Sequence, residues 1–235
     1  MGKNLVTVFI VGDSTAADKS VQEKPMSGWG EFIGSQFDDT VKFENHAING
    51  RSTQSFLKQN RLAPILAKAK PGDYLWIQFG HNDQKIDDPE RFTKPYEDYM
   101  TNLKFMIAEA EKRQMTVVLL TSISRRQFVK GELNRQSLGE YPEAMRILAK
   151  KLDVLLVDMH EITSNYLSEL GEKDSKAIFL HLNPGEHDNY PEGLTDNTHF
   201  SEHGAQIMAR LLANSVSNIL PSFALRKRVT GVDER

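Results

Sequence analysis

The sequence predicts an α/β protein built on one parallel, doubly wound sheet of five strands. Two observations support this fold class. Five short apolar runs contain few polar residues, which is typical of strands that helices cover on both faces. Segments with apolar residues at helical spacing lie between these runs, and such alternation indicates βαβ crossovers.

The predicted strands follow from the positions of the apolar runs. Residues 6–11 read Val-Thr-Val-Phe-Ile-Val and form the first predicted strand, and residues 41–48 form a weaker second one. The third covers residues 74–79, which include leucine, tryptophan, isoleucine and phenylalanine. Residues 116–120 and 154–158, both rich in valine and leucine, complete the sheet.

Four predicted helices lie between or after these strands. Residues 53–69 and 96–113 carry apolar side chains close to the spacing of one helix face, and residues 141–151 have a similar pattern. The last predicted helix covers residues 201–219. It begins at Ser201, and serine is a favoured helix N-cap.

Two long polar connections, residues 122–140 and 172–198, have no predicted secondary structure. Loops of this length in a compact domain are usually functional or disordered. The sequence contains no internal repeat, low-complexity tract or linker rich in proline, glycine and serine. It therefore predicts a single domain that covers residues 1–235.

The composition excludes several classes of function. The 235 residues include no cysteine, which rules out disulfides, thiolate nucleophiles and cysteine-ligated metal sites. The net charge of −3 gives no polyanion-binding signature, so nucleic acid is not an expected partner. No segment is long and apolar enough to predict a membrane span. The sequence predicts no particular oligomeric state.

The apolar run that follows Lys3 has some features of a signal peptide. The run is short, contains Thr7 and ends at Gly12 rather than at a small-residue cleavage site. We interpret it as the first strand. The predicted location of the protein is therefore cytoplasmic.

Polar and glycine-rich segments follow the predicted strands. Residues 12–15 come after the first strand, residues 45–52 lie at the end of the second, and residues 80–83 follow the third. Residues 196–200 precede the last helix. Because ligands of open α/β sheets bind outside the carboxyl ends of the strands, we expect these segments to form one site.

These segments contain the groups that acyl transfer requires. A hydroxyl such as that of Ser14 is a weak nucleophile until a base removes its proton. His199 can act as this base, and Asp196, three residues earlier on a predicted loop, can orient the imidazole. Gly50 can offer a backbone N–H and Asn82 a side-chain N–H to an oxyanion.

Each of these residues also has a purely structural interpretation. Ser14 could cap a helix, and His199 could be a histidine with a structural hydrogen bond. Asn82 could hold a loop and Gly50 could form a turn, while Asp13 is expected to support the turn before Ser14. The order of the segments along the chain favours the catalytic interpretation.

Four motifs resemble the SGNH (GDSL-like) hydrolases. Gly12-Asp13-Ser14, Gly50, Gly80-x-Asn82 and Asp196-x-x-His199 look like blocks I, II, III and V of this class. Within this class, the residues around the motifs are most similar to those of the rhamnogalacturonan acetylesterases and related carbohydrate acetylesterases. The matching pieces are Asn49-Gly50-Arg51-Ser52, His81 in Gly80-His81-Asn82-Asp83, Leu138-Gly139-Glu140-Tyr141-Pro142 and His199-Phe200-Ser201-x-x-Gly204-Ala205.

The resemblance extends from near the N-terminus to about Ala213. It implies a flavodoxin-like, three-layer α/β/α fold without a cofactor. It makes Ser14 the nucleophile, His199 the base and Asp196 its orienting group, and it adds the backbone N–H of Ser14 to the oxyanion donors Gly50 and Asn82. Many secreted members have signal peptides and disulfides. Because neither is evident here, an intracellular enzyme acting on imported oligosaccharides is expected.

Several residues near the motifs are candidates for substrate binding. His81 lies between two motif residues and either contacts substrate or braces its loop. Arg51, Arg125 and Arg126 could pair with a uronate carboxylate, because a guanidinium group binds carboxylates with two hydrogen bonds. For each arginine, an ordinary position on the solvated surface is the alternative.

No metal site is predicted. His181 and His187, with Asp188, lie in a loop rich in proline and glycine, and no third ligand has a diagnostic spacing. The sequence has no H-E-x-x-H motif. It also lacks a Walker A motif and a complete dinucleotide fingerprint, so no cofactor is expected.

The sequence is compatible with three functions. The first is a serine esterase that removes O-acetyl groups from plant cell-wall carbohydrate, either pectic rhamnogalacturonan or xylan fragments, through an acetyl-enzyme. The second is a lipase, thioesterase or lysophospholipase of the same class that acts on longer acyl chains with the same catalytic groups. The third is a non-catalytic glycan-binding module. Residues 183–197 are polar, which argues mildly against a long acyl pocket.

Overall fold

The computed structural model describes residues 4–228 and contains a central sheet of five parallel strands. Its strands are β1 (Val6–Gly12), β2 (Val41–Asn45), β3 (Tyr74–Gln78), β4 (Thr116–Leu120) and β7 (Leu155–Val157). Their order in the sheet is β2-β1-β3-β4-β7. This is the flavodoxin-like order of a doubly wound sheet, so the predicted fold class is confirmed.

Two antiparallel hairpins supplement the central sheet. Strands β5 (Phe128–Val129) and β6 (Glu132–Leu133) form the first hairpin, and β8 (Phe179–Leu182) and β9 (Leu194–Phe200) form the second. The first hairpin lies within connection 122–140, and the second lies within connection 172–198 except for the last two residues of β9. Both connections were predicted to lack secondary structure. That prediction was wrong, because the second hairpin has no apolar alternation to reveal it.

Between residues 4 and 228, seven α-helices cover the sheet or extend from it. They are α1 (Thr53–Lys58), α2 (Leu62–Lys68), α3 (Met100–Glu111), α4 (Tyr141–Leu152), α5 (Met159–Asp174), α6 (Glu202–Ile219) and α7 (Pro221–Ala224). A π-helical segment, Pro95–Tyr99, leads into α3. Short 3₁₀ turns occur at Val21–Glu23, Trp29–Glu31, Ile33–Gln36 and Ser175–Ile178.

The core has two halves, one on each face of the sheet. Ile10 and Trp76 point to the half that contains α5, α6 and the 3₁₀ turn at Trp29. Phe9 and Leu75 point to the other half, which is filled by helices α1 to α4. Alternate side chains of each strand are therefore buried on opposite faces, which explains the uninterrupted apolar runs. The protein has three layers, as expected.

The predicted helix over residues 53–69 is divided in two. α1 ends before Gln59 and α2 begins at Leu62, and Asn60 between them has a φ of +53°. Asparagine tolerates this left-handed conformation better than most residues, so the chain can turn there. The apolar pattern continues across the break because both short helices pack on the same half of the core.

Helix α5 was not predicted, although the sequence carries two signals for it. Asp158 caps its N-terminus by accepting a hydrogen bond from the backbone N–H of Glu161. Met159, Ile162 and Tyr166 then follow at helical spacing and pack against the core. The many polar residues between these apolar positions hide the pattern.

Within residues 4–228, no helix combines the length and the apolar character that a membrane crossing requires. The single domain predicted over residues 1–235 includes residues 1–3 and 229–235, which lie outside the described part of the chain. Lys3, which entered the interpretation of the N-terminus, is one of them.

Candidate active site

Ser14 lies on a tight turn at the carboxyl end of β1. Asp13 holds this turn, because its Oδ1 accepts hydrogen bonds from the backbone N–H of Thr15 at 3.0 Å and from the Thr15 hydroxyl at 2.8 Å. Its Oδ2 lies 3.2 Å from Nδ1 of His81. Gly12 must be glycine, since a Cβ there would lie 2.7 Å from the carbonyl oxygen of Gln78. The turn is thus fixed from both sides.

The buried Asp13 carboxylate braces the turn, as predicted. Burial by itself raises the pKa of Asp13, but the charge and hydrogen bond of His81 and the hydrogen bonds from Thr15 outweigh it, so the pKa lies below its usual value. The same contact fixes the ring of His81, which is 4% exposed. His81 was predicted either to contact substrate or to brace its loop. Asp13 is a hydrogen-bond partner for the second of these roles.

Ser14, His199 and Asp196 form a continuous line of hydrogen-bonding groups. The hydroxyl oxygen of Ser14 lies 2.8 Å from Nε2 of His199, although the two residues are 185 positions apart. Nδ1 of His199 lies 2.7 Å from Oδ2 of Asp196. The structure brings together the three residues that were predicted to act as nucleophile, base and orienting carboxylate.

The electrostatics of this line favour proton transfer from Ser14 to His199. Burial raises the pKa of Asp196, but hydrogen bonds from the His199 ring and from the backbone of His199 and Thr198 lower it to about 2. Asp196 is therefore ionised at neutral pH and accepts a hydrogen bond from the N–H of Nδ1 of His199. Nε2 is then left without a proton and can accept the hydrogen of the Ser14 hydroxyl.

A bulge in β9 positions Asp196 and His199. Two steps along β8, from Phe179 to His181, face five steps along β9, from Thr195 to Phe200. Oδ1 of Asp196 closes the bulge by accepting the backbone N–H groups of Thr198 at 2.7 Å and His199 at 2.9 Å. The two side chains converge because of this bend, in a strand rather than in the predicted loop.

Three candidate oxyanion donors lie at the same cleft as the Ser14 hydroxyl. They are the backbone N–H groups of Ser14 and Gly50 and the amide of Asn82. Within the described residues, neither backbone N–H donates to a protein acceptor. Gly50 has a φ of +74°, a conformation that favours glycine. The Asn82 amide donates one hydrogen bond to the carbonyl oxygen of Arg51 at 3.1 Å, which leaves its second hydrogen free.

The turns that carry Gly50 and Asn82 are tied together by Asp83. Its fully buried carboxylate accepts hydrogen bonds from the backbone N–H of Thr53 at 3.0 Å, the Thr53 hydroxyl at 2.5 Å and the Thr93 hydroxyl at 2.9 Å. The Tyr141 hydroxyl donates to the carbonyl oxygen of Asp83 at 2.9 Å. Burial raises the pKa of the Asp83 carboxyl to about 7.

Lys19 is a buried support that was not predicted from the sequence. Its ammonium group donates to the carbonyl oxygen of Ser14 at 2.5 Å and to Oδ1 of Asn49 at 2.6 Å. The side chain is 8% exposed, and burial lowers its pKa. Because lysine is usually a surface residue, its position a few residues after Ser14 gave no signal.

The catalytic residues open into a polar cleft of about 380 Å³. Among the described residues that line it, Met26 alone has a large apolar side chain. The lining residues are Ser14, Glu23, Met26, Asn49, Gly50, His81, Asn82, Lys85, Arg125, Asp196, Thr198 and His199. Of the candidates for substrate binding, His81 and Arg125 are therefore in place. Lys85 and Glu23 were not predicted.

Two predicted substrate arginines do not reach this wall. Arg51 donates to the side-chain oxygen of Gln59 at 3.1 Å and to the carbonyl oxygen of Asn49 at 2.8 Å, and it is absent from the cleft lining. Arg126 is 6% exposed and donates to Asn197, Ser175 and the carbonyl oxygen of Glu172. Each nitrogen of its guanidinium thus has an acceptor in β9 or at the end of α5, so Arg126 supports the fold.

The histidines considered for metal binding are dispersed. Nε2 of His181 lies 3.0 Å from the Asn197 side-chain oxygen, and Nδ1 of His187 accepts the backbone N–H of Asn189 at 3.1 Å. Across the described part of the chain, no group of three or more histidine, aspartate or glutamate residues could hold a metal ion.

A parallel α/β sheet that presents a serine, a histidine and a carboxylate in line beside free N–H donors defines the class of serine-dependent acyl hydrolases. The chain belongs to the GDSL-like lipase/acylhydrolase family, whose model matches residues 10–207. The predicted family and the prediction that the chain is a carboxylic ester hydrolase are therefore confirmed.

Comparison with individual proteins supports this assignment. The chain is 42% identical over 219 residues to the rhamnogalacturonan acetylesterase RhgT of Bacillus subtilis (strain 168), covering 93% of each chain. It also resembles the crystal structure of the protein YXIM from Bacillus subtilis, with a TM-score of 0.77 and 23% identity. That alignment covers 92% of this chain but only 57% of the YXIM chain, so this chain spans little more than half of that protein.

A further solved structure shares the fold over nearly its whole length. The acetylxylan esterase Axe2 from Geobacillus stearothermophilus aligns with a TM-score of 0.64 and 16% identity. The alignment covers 92% of this chain and 96% of that one. At this level of identity the likeness concerns the fold.

Proposed function

We propose that this protein is a serine esterase that removes O-acetyl groups from rhamnogalacturonan or a related plant cell-wall carbohydrate. The observation that carries the proposal is the line from Ser14 through His199 to Asp196, at 2.8 and 2.7 Å, beside the turns of Gly50 and Asn82. The identity of 42% to a named rhamnogalacturonan acetylesterase, over 93% of each chain, supports the choice of substrate.

Acylation begins when the Ser14 oxygen attacks the carbonyl carbon of the acetyl ester. Nε2 of His199 takes the hydroxyl proton as the new C–O bond forms. The carbonyl oxygen becomes an oxyanion, which accepts hydrogen bonds from the backbone N–H groups of Ser14 and Gly50 and from the Asn82 amide. When the intermediate collapses, the sugar oxygen leaves and takes the proton from His199. The acetyl group remains on Ser14.

Deacylation reverses the roles with water as the nucleophile. His199 takes a proton from the water molecule as its oxygen attacks the acetyl carbonyl carbon, and the same donors hold the oxyanion. The bond to Ser14 then breaks, the serine oxygen recovers the proton, and acetate is released. Asp196 remains ionised throughout and stabilises the positive charge on His199.

The cleft favours a short acyl group over a long one. A long acyl chain needs a contiguous apolar groove, because each buried methylene contributes about 0.8 kcal/mol only when it leaves water. The cleft wall instead consists of polar side chains and glycine, with Met26 as the exception. This composition supports an acetyl group on a hydroxyl-rich acceptor rather than a lipid or thioester substrate.

The proposal is tested by acetate release from acetylated rhamnogalacturonan oligosaccharides. We expect the wild-type protein to release acetate and Ser14→Ala to release none above background. Full activity of Ser14→Ala would refute the assignment of the nucleophile. Comparing p-nitrophenyl acetate with p-nitrophenyl octanoate tests the acyl group, and a preference for octanoate would favour the lipase alternative. Glycan binding with no ester turnover would favour a binding module.

The cytoplasmic location is part of the proposal and is supported by the assignment of residues Val6–Gly12 to a buried strand. Fractionation of the cells that express the protein tests it. We expect the protein in the cytosolic fraction, and its appearance in the culture medium would contradict the proposed location.

A further inference from the structure

Two cationic side chains lie on the wall of the catalytic cleft. Lys85 follows the Asn82 turn, where its backbone N–H donates to the carbonyl oxygen of Asn82 at 3.2 Å. Arg125 follows β4 and donates to the Thr198 hydroxyl at 3.0 Å and to the carbonyl oxygen of His81 at 3.4 Å. Both are thus anchored to segments that carry catalytic residues.

Neither cation is neutralised by a carboxylate. Among residues 4–228, neither Lys85 nor Arg125 forms an ion pair, and the carboxylates that influence Arg125 are already engaged. Asp13 contacts His81, and Asp196 contacts His199. Nε of Arg125 is buried and has no acceptor within the described residues. The wall of the cleft therefore carries two cationic side chains that form no ion pair among the described residues.

Lys85 and Arg125 repel each other, and Arg91 adds to the repulsion on Lys85. Burial lowers the pKa of Lys85, and repulsion from Arg91 and Arg125 lowers it further. Burial likewise lowers the pKa of Arg125. Placing cations so close together costs free energy in the empty cleft, and an anionic ligand relieves that cost.

We infer that Lys85 and Arg125 bind a carboxylate of the substrate, so that the enzyme acts on acetylated acidic sugars in preference to neutral ones. Guanidinium groups match the two oxygens of a carboxylate, and an ammonium group adds a second positive charge. The ligand is a uronate unit of the glycan whose acetyl ester lies at Ser14. This inference rests on the proposed carbohydrate esterase function.

Glu23 adds a negative charge to the cleft wall, so the charge along the wall is unevenly distributed. It lines the same cleft, and it is held by hydrogen bonds from Ser20 and from the Asn49 amide. Burial raises the pKa of Glu23, but these hydrogen bonds outweigh it and keep the group anionic at neutral pH. Because like charges repel, the uronate is directed to Lys85 and Arg125 and away from Glu23.

The test compares two forms of one substrate. Acetylated rhamnogalacturonan oligosaccharide is used with free uronate carboxylates and after methyl esterification, which removes the charge, and acetate release is measured at low ionic strength. We expect kcat/KM of the wild-type enzyme to be several times higher for the free acid. The preference shrinks as salt is added, because exposed charges are screened.

Variants at Lys85 localise the effect. We expect Lys85→Gln to reduce the preference for the free acid about three- to fivefold, the range of a partly exposed ion pair. Lys85→Glu should invert the preference. Lys150→Gln is the matched control, because Lys150 is an exposed lysine of α4 that is absent from the cleft lining, and it should leave the preference unchanged.

The outcomes separate this inference from the proposed function. Equal rates on the free and methyl-esterified oligosaccharides, or equal effects of Lys85→Gln and Lys150→Gln, would overturn the carboxylate subsite and leave the carbohydrate esterase intact. Turnover of p-nitrophenyl acetate without acetate release from either oligosaccharide would overturn the carbohydrate function, and the subsite with it.

Discussion

Asp83 holds Thr53 by two hydrogen bonds, one from the backbone N–H at 3.0 Å and one from the hydroxyl at 2.5 Å. Thr53 begins α1 directly after the Gly50 turn, and Asp83 directly follows Asn82. One carboxylate therefore sets the distance between two proposed oxyanion donors that lie on different crossovers of the sheet.

Asp83→Ala should lower kcat more than it raises KM. The substitution leaves the Thr53 N–H buried without an acceptor, which costs about 1–3 kcal/mol of stability, and it frees the two turns to separate. Since small displacements of catalytic donors reduce rates strongly, we expect kcat for p-nitrophenyl acetate to fall at least about tenfold. Steady-state kinetics and urea unfolding measure the two effects.

Asp83→Asn is the matched control for this change. Its amide oxygen can still accept the Thr53 N–H, so we expect it to retain more activity and stability than Asp83→Ala. Equal kcat in the wild type and Asp83→Ala would contradict the positioning role.

The stability of the protein should depend on the ionisation of Asp83. Burial raises its pKa from 3.8 to about 7, so the folded protein keeps a proton that the unfolded chain has lost between these values. The unfolding free energy contributed by this group therefore falls as pH rises from about 4 to about 7. Asp83→Asn does not titrate, so its stability relative to the wild type should increase across this range in urea unfolding.

Lys19→Met should impair catalysis through Ser14 and Asn49. The substitution keeps the length of the side chain but removes both hydrogen bonds of the ammonium group. We expect a loss of about 1–2 kcal/mol in stability, and a fall in kcat for p-nitrophenyl acetate with little change in KM. Lys104→Met, at an exposed position of α3, is the control. Unchanged kcat in Lys19→Met would show that the contact is dispensable.

Asp196→Asn should reduce kcat by about 10⁴-fold, because an amide cannot fix the His199 tautomer or stabilise its positive charge. KM should change little. The ionised Asp196 also stabilises the fold. Its pKa is lowered from 3.8 to about 2, so this contribution is present above about pH 4 and is lost as pH falls through about 2. Kinetics at neutral pH and urea unfolding down to acidic pH measure these effects.

The central sheet could be predicted from sequence because its strands are buried on both faces. A run such as residues 74–79 is interrupted by a single fully polar side chain, that of Gln78, and shows none of the alternation of a half-exposed strand. The amphipathic helix α5 was harder to predict, since only one side packs on the core and Asp158 was not interpreted as its cap. Breaks such as that at Asn60 depend on local backbone conformation and leave the apolar pattern unchanged.

The candidate triad could be predicted because the chemistry requires its residue types. The Ser14 motif follows a predicted strand, and the motif of Asp196 and His199 precedes the last predicted helix. The bulge in β9 that positions Asp196 and His199 could not be predicted, because it arises from the pairing of β9 with β8. Lys19, Lys85 and Asp83 were missed as functional residues for a related reason. Their roles depend on contacts between distant segments, and none has a distinctive spacing.

The identity of the nucleophile is the central claim, and active-site labelling tests it most directly. Treatment with diethyl p-nitrophenyl phosphate, followed by peptide mass spectrometry, locates the residue that attacks the reagent. The hydrogen bond of 2.8 Å from the Ser14 hydroxyl to His199 predicts one phosphoryl group per chain, on Ser14, formed in step with the loss of activity and strongly slowed in His199→Ala. Complete inactivation with the label on any other residue, and Ser14 unmodified, would contradict the account.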